Sequence, residues 1–177
     1  MGVSLGPGIG VLIPTYNNAV TLESVLRHVI SYAGPHVIVV DDGSTDGTAN
    51  ILSSVEGICV VSIPVNKGKG NALRTGFAEA RKLGWTHAIT IDSDAQHDPA
   101  DLPAMARAVV EDLSAMVMGA RDMGKSEIPG KSSFGNKFSN FWFLVETGIR
   151  LPDTQTGYRA WPLEPLSKIR TISDRFG

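Results

Sequence analysis

Short apolar runs alternate with stretches of helical periodicity along most of this chain. "GVLIP" and "HVIVV" are runs of the first kind, whereas in "TLESVLRHVISYA" apolar residues recur every three or four positions. Short apolar runs are typical of buried strands, and the recurring spacing is typical of a helix with one apolar face. Strands that alternate with helices form a parallel sheet covered by helices. The pattern therefore predicts an α/β fold with three layers, α/β/α, around a mostly parallel central sheet.

The same pattern predicts the other elements up to Gly119. Further strands are predicted at "ICVVSI", "HAITI" and "SAMVMGA". Thr21 is expected to cap the first helix. Asp98 and Pro99 are expected to begin a later helix, because an aspartate followed by proline is a common helix start. The apolar positions of that helix are Leu102, Met105, Ala106, Val109, Val110 and Leu113.

Beyond Gly119 the alternation gives way to a polar stretch, "RDMGKSEIPGKSS", which predicts a long loop. Loops of this length in a compact domain are commonly functional. The next stretch, "FGNKFSNFWFLVETGI", has a strongly apolar helical face, which is either part of the core or a surface for lipid or an apolar acceptor. The chain stops at Gly177 without a clear final element, so we expect residues 1–177 to be one domain that is truncated at its C-terminus.

Composition and charge exclude several classes of function. The chain has 177 residues, 42% of them hydrophobic, which is enough to bury the core of one domain. Its net charge of −2 is spread along the sequence and gives no basic surface for nucleic acid. No stretch reaches the roughly 18 to 20 apolar residues that span a bilayer, and the one cysteine, Cys59, fits a reducing compartment. We expect a cytoplasmic chain; peripheral contact with the inner face of the membrane stays open, as does the oligomeric state.

Polar motifs follow four of the predicted strands. "PTYNN" follows the first, "DDGSTDG" the second, "NKGKGN" the third and "DSDAQHD" the fourth. Because the carboxyl ends of parallel strands meet at one edge of a sheet, we expect these motifs to line one crevice. Alternate residues of an extended segment point the same way, so Asp92, Asp94 and Gln96 would present oxygens along one side. Such oxygens suit a hard divalent cation, and the motif predicts a site for Mg²⁺ or Mn²⁺.

Two neighbouring features have simpler interpretations. Asp98 and Asp101 are expected to begin the next helix rather than to bind a metal. Lys67 and Lys69 lie among glycines at a helix start, which suits an anion, although a solvated turn has the same composition. "GIG" at positions 8–10 precedes its strand instead of following it, which argues against a dinucleotide-binding fingerprint.

In their order and spacing, the motifs resemble the family 2 glycosyltransferases of the Rossmann-like GT-A fold. The resemblance covers nearly the whole chain and rests on "VLIPTYNNAVTLESVL", "VIVVDDGSTDGT", "NKGKGNALRTGF" and "IDSDAQHDP", the last of which looks like the family's DxD motif. "DTQTGYRAW" is similar to the acceptor-side motif of the polyprenyl-phosphate sugar transferases, the dolichol-phosphate mannosyltransferase kind. The resemblance implies inverting transfer of a sugar from a UDP- or GDP-sugar to a lipid-phosphate or saccharide acceptor, in cell-envelope glycan or glycolipid synthesis.

The resemblance also implies roles for individual residues. Those that would bind the nucleotide sugar are Pro14, Tyr16, Asn18, Asp41, Asp42, Lys69, Gly70, Asp92 and Arg121. Those that would hold the metal, bridging the diphosphate, are Asp92, Asp94 and Gln96. Those that would face the acceptor are Asp153 and Arg159. Within the first set, Asp42, or else Asp41, would hydrogen-bond to the base. The family often has Glu where this chain has Asn18, and this difference puts the contact with the ribose in question.

The chemistry fits these residue types. A nucleotide diphosphate leaves as a charged group, so a cation held by Asp94 and Gln96 would stabilise the charge on the departing oxygen. Asp153 would be a catalytic base or would orient the acceptor, because an acceptor hydroxyl must lose a proton whereas a phosphate is already anionic. A non-catalytic nucleotide-sugar-binding domain stays open as an alternative. A receiver-type signalling domain is disfavoured, because its acidic pair should follow the first strand and "DD" here follows the second.

Overall fold

A mostly parallel sheet forms the centre of the computed structural model, which describes residues 5–119 and 156–168. The strands are β1 Ile9–Thr15, β2 Val37–Asp41, β3 Cys59–Ser62, β4 His87–Thr90, β5 Val117–Met118 and β6 Arg159–Pro162. The helices are α1 Ala19–Ala33, α2 Thr48–Ser54, α3 Lys69–Lys82, α4 Leu102–Glu111 and α5 Leu163–Lys168, with a 3₁₀ turn at Pro99–Asp101 before α4. The strand order is β3-β2-β1-β4-β6-β5. This arrangement confirms the predicted α/β class.

Strands β1 to β4 pair in parallel, and β6 is antiparallel to both of its neighbours, β4 and β5. In the β4–β6 pair, Ala88 lies opposite Trp161. No strand is predicted at β6 from the sequence. Its sequence, "RAWP", is too short for a clear alternation and ends in a proline, a residue that weakens a strand interpretation.

Helices cover both faces of the sheet and bury two separate clusters of apolar side chains. Along β1, Val11 and Ile13 face the cluster that includes the buried side of α1, whereas Leu12 faces the cluster formed with α3. This alternation is the two-residue period of a strand that is buried on both sides. The helix residues in the first cluster include Leu22, Val25, Leu26, Val29, Leu102, Met105 and Val109. The second cluster adds Ala72, Phe77, Ala80 and Leu163. The expected three layers are therefore present.

A glycine allows α3 to approach the sheet closely. A Cβ at Gly76 would collide with the side chain of Leu12, which is fully buried in β1. The close packing of α3 on β1 fixes the direction of the helix. It thereby holds the first helical residue, Lys69, at the carboxyl edge of the sheet.

The ends of two helices differ from the sequence expectation. Thr21 does not cap α1, which begins at Ala19; the backbone N–H of Ala19 donates to Oδ2 of Asp46 at 3.1 Å, from the loop after β2. Helix α4 ends at Glu111, so Leu113, expected on its apolar face, lies beyond the helix and is 63% exposed. Val110 lies within the helix but is also 63% exposed, because the buried face carries Leu102, Met105, Ala106 and Val109.

The predicted start of the α4 region is confirmed. Oδ1 of Asp98 accepts a hydrogen bond from the backbone N–H of Ala100 at 2.9 Å, and Pro99 occupies the first position of the 3₁₀ turn. The proline has no N–H to leave unsatisfied at a helix start, and the aspartate satisfies one that remains. Asp101 lies at the junction with α4 and makes no side-chain capping bond there.

Candidate functional site

A cavity of about 330 Å³ opens where the carboxyl ends of the parallel strands meet. This volume lies at the lower end of the range for small-molecule sites, about 300 to 1,000 Å³. The residues that line the cavity are Pro14, Thr15, Tyr16, Asn18, Asp42, Asn66, Lys69, Ala72, Asp92, Ser93 and Asp94. The structure thus brings together residues from all four of the motifs that follow strands β1 to β4.

Not every residue expected at the site lines this cavity. Asp41 and Gly70, expected to bind the nucleotide sugar, are absent from the cavity wall, as are Gln96, expected at the metal, and Arg159, expected to face the acceptor. Asp41 is buried at the end of β2, where its Oδ1 accepts the backbone N–H of Ser44 at 3.0 Å. Its carboxylate therefore stabilises the turn after β2, and Asp42 is the member of the pair that faces the cavity.

The carboxylate of Asp42 holds the glycine-lysine loop. Asp42 is only 3% exposed, and its oxygens accept the backbone N–H groups of Lys67 at 3.0 Å and Gly68 at 2.7 Å. Hydrogen bonds from N–H groups to a carboxylate are stronger than those between neutral groups. The bonds fix the loop that enters α3, whose first residue is Lys69.

The loops after β1 and β2 are also tied to each other. Asn17 has a positive φ of 49°, and its Oδ1 accepts the backbone N–H of Thr45 at 2.7 Å. The N–H of Asn17 donates in turn to Oγ of Ser44. Asp46 accepts hydrogen bonds from Thr48 and Ala19, and the bonds from Thr48 contribute most to lowering its pKa. These contacts hold the loop that carries Tyr16 at the cavity rim.

Lys69 and Asp92 form an ion pair at the cavity. Nζ of Lys69 lies 2.6 Å from Oδ1 of Asp92, with the two side chains 51% and 24% exposed. Ion pairs this open to solvent contribute at most about 1 kcal/mol to stability. The pair is therefore better explained by a role in the site, where it places one positive charge beside Asp92, the first residue of the "DSD" motif at positions 92–94.

The second aspartate of that motif is open to solvent. Asp94 is exposed, and its Oδ1 accepts the backbone N–H of Gln96 at 3.0 Å across a turn in which Ala95 has a φ of 62°. Gln96 thus supports Asp94 through its main chain. The remaining oxygens of Asp92 and Asp94 are hard donors of the kind that Mg²⁺ or Mn²⁺ binds.

The donor set fits a metal that is shared with a ligand. Within residues 5–119 and 156–168, no three His, Cys, Asp or Glu side chains are grouped to enclose a metal ion. Mg²⁺ usually needs only one or two carboxylates when phosphates and water supply its other ligands. Asp92 and Asp94 meet that requirement, so the residues present fit a cation that binds together with a diphosphate.

The segment that leads into the antiparallel strand β6 packs against Asp92. Gly157, just before β6, lies so close to Asp92 that a Cβ at this position would collide with the carboxylate. Its carbonyl accepts the hydroxyl of Thr90, the last residue of β4, at 2.8 Å. Arg159 lies in β6 with its guanidinium over the ring of Trp161, 5.5 Å from the ring centre, and it is not among the residues that line the cavity. Arg121 and Asp153 lie outside the described residues.

Sequence reasoning did not single out four residues of the cavity wall, namely Thr15, Asn66, Ala72 and Ser93. Ser93 is buried and 5% exposed, with hydrogen bonds to the start of α1. The available signal was its position between two aspartates, since a motif that orients two carboxylates must also fix the residue between them.

The described part of the chain contains no helix that is both long enough and apolar enough to cross a bilayer.

Comparison with known proteins gives a consistent result. The chain is 33% identical over 164 residues to an uncharacterised protein of Methanocaldococcus jannaschii, covering 91% of this chain and 67% of that protein. It is 28% identical to the UDP-N-acetylglucosamine–dolichyl-phosphate N-acetylglucosaminyltransferase of Methanococcus voltae, covering 86% of this chain and 68% of the relative. It is 31% identical to the polyprenol monophosphomannose synthase of Mycolicibacterium smegmatis, covering 90% and 63%.

A solved structure has the same fold. Glucosyl-3-phosphoglycerate synthase from Mycobacterium tuberculosis, crystallised with Mn²⁺, UDP-glucose and phosphoglyceric acid, superposes with a TM-score of 0.70 at 25% identity. The match covers 93% of this chain and 59% of that one. The chain thus spans about two thirds of the length of these three relatives and 59% of the length of this structure.

The family model for glycosyl transferase family 2 matches residues 10–160, which include β1 from its second residue, all of β2 to β5 and the start of β6. The architecture of the central sheet and the relatives agree with this match. The chain belongs to glycosyl transferase family 2 and has the GT-A fold of these glycosyltransferases.

Proposed function

We propose that the chain transfers a sugar from a nucleotide diphosphate sugar to a lipid phosphate, with a divalent cation at the "DSD" motif. The observation that carries this proposal is the cavity at the strand ends, where Lys69 pairs with Asp92 and shares the wall with Asp42 and Asp94. Carboxylates with one lysine suit a ligand that combines a hydrogen-bonding base with a metal-bound diphosphate.

The donor would bind along the cavity. Asp42 would accept from the base with oxygen lone pairs not used by the two loop N–H groups, and Pro14 and Tyr16 would contact the base or ribose from β1. Lys69 would exchange its contact with Asp92 for the diphosphate. The M. tuberculosis relative was crystallised with UDP-glucose, which favours a UDP-sugar over a GDP-sugar here.

A divalent cation bound at this site would offset the negative charge that builds on the diphosphate as it leaves. Asp94 would be its main protein ligand, because this side chain is exposed and faces the cavity. Asp92 would add a second oxygen or hold the sugar. Crystals of the M. tuberculosis relative contain Mn²⁺, which supports Mn²⁺ as the first choice over Mg²⁺.

The acceptor is inferred from two relatives whose names specify dolichyl phosphate or a polyprenol. A phosphate oxygen is already anionic, so its attack on the sugar needs little help from a base. We infer a single displacement, which inverts the anomeric centre, with Asp153, Arg159 and Arg121 orienting the acceptor and sugar. A lipid-phosphate acceptor would bring the chain into peripheral contact with the inner face of the membrane.

The test is a panel of UDP- and GDP-sugars with polyprenyl phosphate or a soluble saccharide, each with Mn²⁺, Mg²⁺ or EDTA. We expect transfer to the lipid from one donor, abolished by EDTA. Asp94→Asn should lower the metal-dependent rate by about 100-fold or more. Asp98→Asn is the matched control, because asparagine also caps a helix and Asp98 is absent from the cavity wall. Nucleotide binding that is changed neither by EDTA nor by Asp94→Asn would refute the metal site. Transfer to the saccharide alone would refute the lipid acceptor.

A further inference from the structure

The middle residue of the "DSD" motif is held from a different part of the chain. Oγ of Ser93 accepts a hydrogen bond from Nδ2 of Asn18 at 2.7 Å, and the carbonyl oxygen of Ser93 accepts one from Oγ1 of Thr21 at 2.7 Å. Thr21 Oγ1 also lies 3.1 Å from Oδ1 of Asn18. We call these three residues the Ser93 network. The side-chain oxygen and the main-chain oxygen of Ser93 are thus both bonded to the start of α1.

The start of α1 is a firm support for this network. Asn18 directly precedes the helix, and its carbonyl accepts the backbone N–H groups of Thr21 and Leu22. The helix continues to Ala33 and buries Leu22, Val25, Leu26 and Val29 against the sheet. The Ser93 network therefore connects the loop after β4 to an element that is fixed by the core.

The loop after β4 needs external support. Ala95 has a φ of 62°, and a non-glycine residue keeps this strained conformation only where its surroundings hold it. Asp92 directly precedes Ser93 and Asp94 directly follows it, and neighbouring Cα atoms in a chain are only about 3.8 Å apart. A shift of Ser93 would therefore move both carboxylates together.

We propose that Asn18 and Thr21 are positioning residues that fix, through Ser93, the two aspartates which receive the cation and the donor diphosphate. The inference rests on the proposed function of this site. It also assigns a task to Asn18, whose amide bonds to Ser93 and whose Oδ1 lies within reach of Thr21. Groups that orient metal ligands from outside are often needed for full metal affinity.

Thr21→Val tests the network, since it keeps the shape of the side chain and removes the hydroxyl that donates to Ser93. Thr21→Ser restores the hydroxyl and should restore wild-type behaviour. Thr86→Val is the matched control, because the Thr86 hydroxyl also donates to a distant carbonyl, that of Gly8. This contact lies at the start of β1 and β4, at the end of the sheet opposite to the cavity. Ser93→Ala removes only the bond from Asn18 and provides a second perturbation that leaves Thr21 intact.

Two measurements on the full chain separate positioning from folding. The first is hydrogen–deuterium exchange without ligand, where Thr21→Val should accelerate exchange of the Gln96 N–H, which is bonded to Asp94. The second is binding of UDP and of GDP with and without Mn²⁺. In Thr21→Val and Ser93→Ala the Mn²⁺-dependent affinity should fall by about threefold to tenfold, as expected for one lost hydrogen bond, while Thr21→Ser and Thr86→Val should match the wild type.

The outcomes distinguish this inference from the proposed function. If the wild type binds a nucleotide with Mn²⁺ and Thr21→Val binds it equally well, the positioning role is wrong and the proposed function stands. Unchanged exchange of the Gln96 N–H in Thr21→Val would likewise overturn the role of the network. If the wild type binds neither nucleotide with Mn²⁺, the proposed function itself fails and the inference fails with it.

Discussion

Gly157 lies directly against the carboxylate of Asp92, so a methyl group placed there must displace that carboxylate. An ideal Cβ at Gly157 would lie 2.6 Å from Cγ and 2.8 Å from Oδ1 of Asp92, and closer still to Oδ2. The φ of Gly157 is not in the left-handed region, so alanine meets no backbone penalty. Gly157→Ala therefore perturbs the site through one steric contact.

The size of the effect follows from these distances. Carbon atoms in favourable contact are about 3.5 to 4.0 Å apart, so the carboxylate must recede by about 1 Å. That shift must change the 2.6 Å contact with Lys69, and a side chain pushed off its rotamer costs about 0.5 to 1.5 kcal/mol. We expect the free energy of unfolding to fall by only about 1 to 2 kcal/mol. A misplacement of about 1 Å in a reacting site can lower the rate by about 100-fold.

The assay compares urea unfolding with Mn²⁺-dependent nucleotide binding and sugar transfer. Gly47→Ala is the control, because a Cβ there meets only Ala19, at an ordinary 3.6 Å. We expect Gly47→Ala to keep full transfer, and Gly157→Ala to stay folded but lose transfer. A folded Gly157→Ala variant whose transfer rate stays within about threefold of the wild type would show that the position of Asp92 is not critical.

Three further substitutions have distinct expected results. Asp42→Asn should lower the free energy of unfolding by about 1 to 3 kcal/mol in urea titrations, because the buried carboxylate accepts N–H groups from Lys67 and Gly68; unchanged stability would refute this. Lys69→Met should weaken nucleotide binding more at low salt than at high salt, because exposed charges are screened, and equal loss at both would contradict an electrostatic role. Burial raises the pKa of Tyr158, so its neutral hydroxyl contributes stability that is fully present below the usual pKa of 10.0 and is lost as the pH rises above it. Tyr158→Phe should be at least as stable as the wild type at pH 7, since the buried hydroxyl has no hydrogen-bond partner among the described residues. At pH 11 the variant should lose less stability than the wild type. A marked loss of stability at pH 7 would contradict the prediction.

The convergence of the motifs could be predicted from the sequence, because the carboxyl ends of parallel strands always meet at one edge of the sheet. Asp42, Lys69, Asp92 and Asp94 follow different strands, and all of these residues line one cavity. Their individual roles remain predictions. So do the roles of Arg121 and Asp153, which lie outside the described residues.

Contacts between distant segments could not be predicted in the same way. Gly157 approaches Asp92 because β6 pairs with β4 in the antiparallel direction, and four residues ending in proline carry no periodic signal. The contact of Thr21 with Ser93 was hidden for a different reason. A threonine near a helix start ordinarily caps that helix, but here the next loop supplies Asp46 to Ala19, and the Thr21 hydroxyl is left for Ser93.

The place of β6 in the sheet has a consequence for synthesis. β6 lies between β4 and β5 although it follows β5 in the chain, and β5 has no other partner among the described strands. On the ribosome, β1 to β4 can assemble first, while the outer edge of β4 keeps its N–H and C=O groups unpaired. An open strand edge is a template for pairing with another chain. The nascent protein is thus most prone to aggregation between the emergence of β4 and that of Pro162, and chaperone contacts should concentrate in that interval.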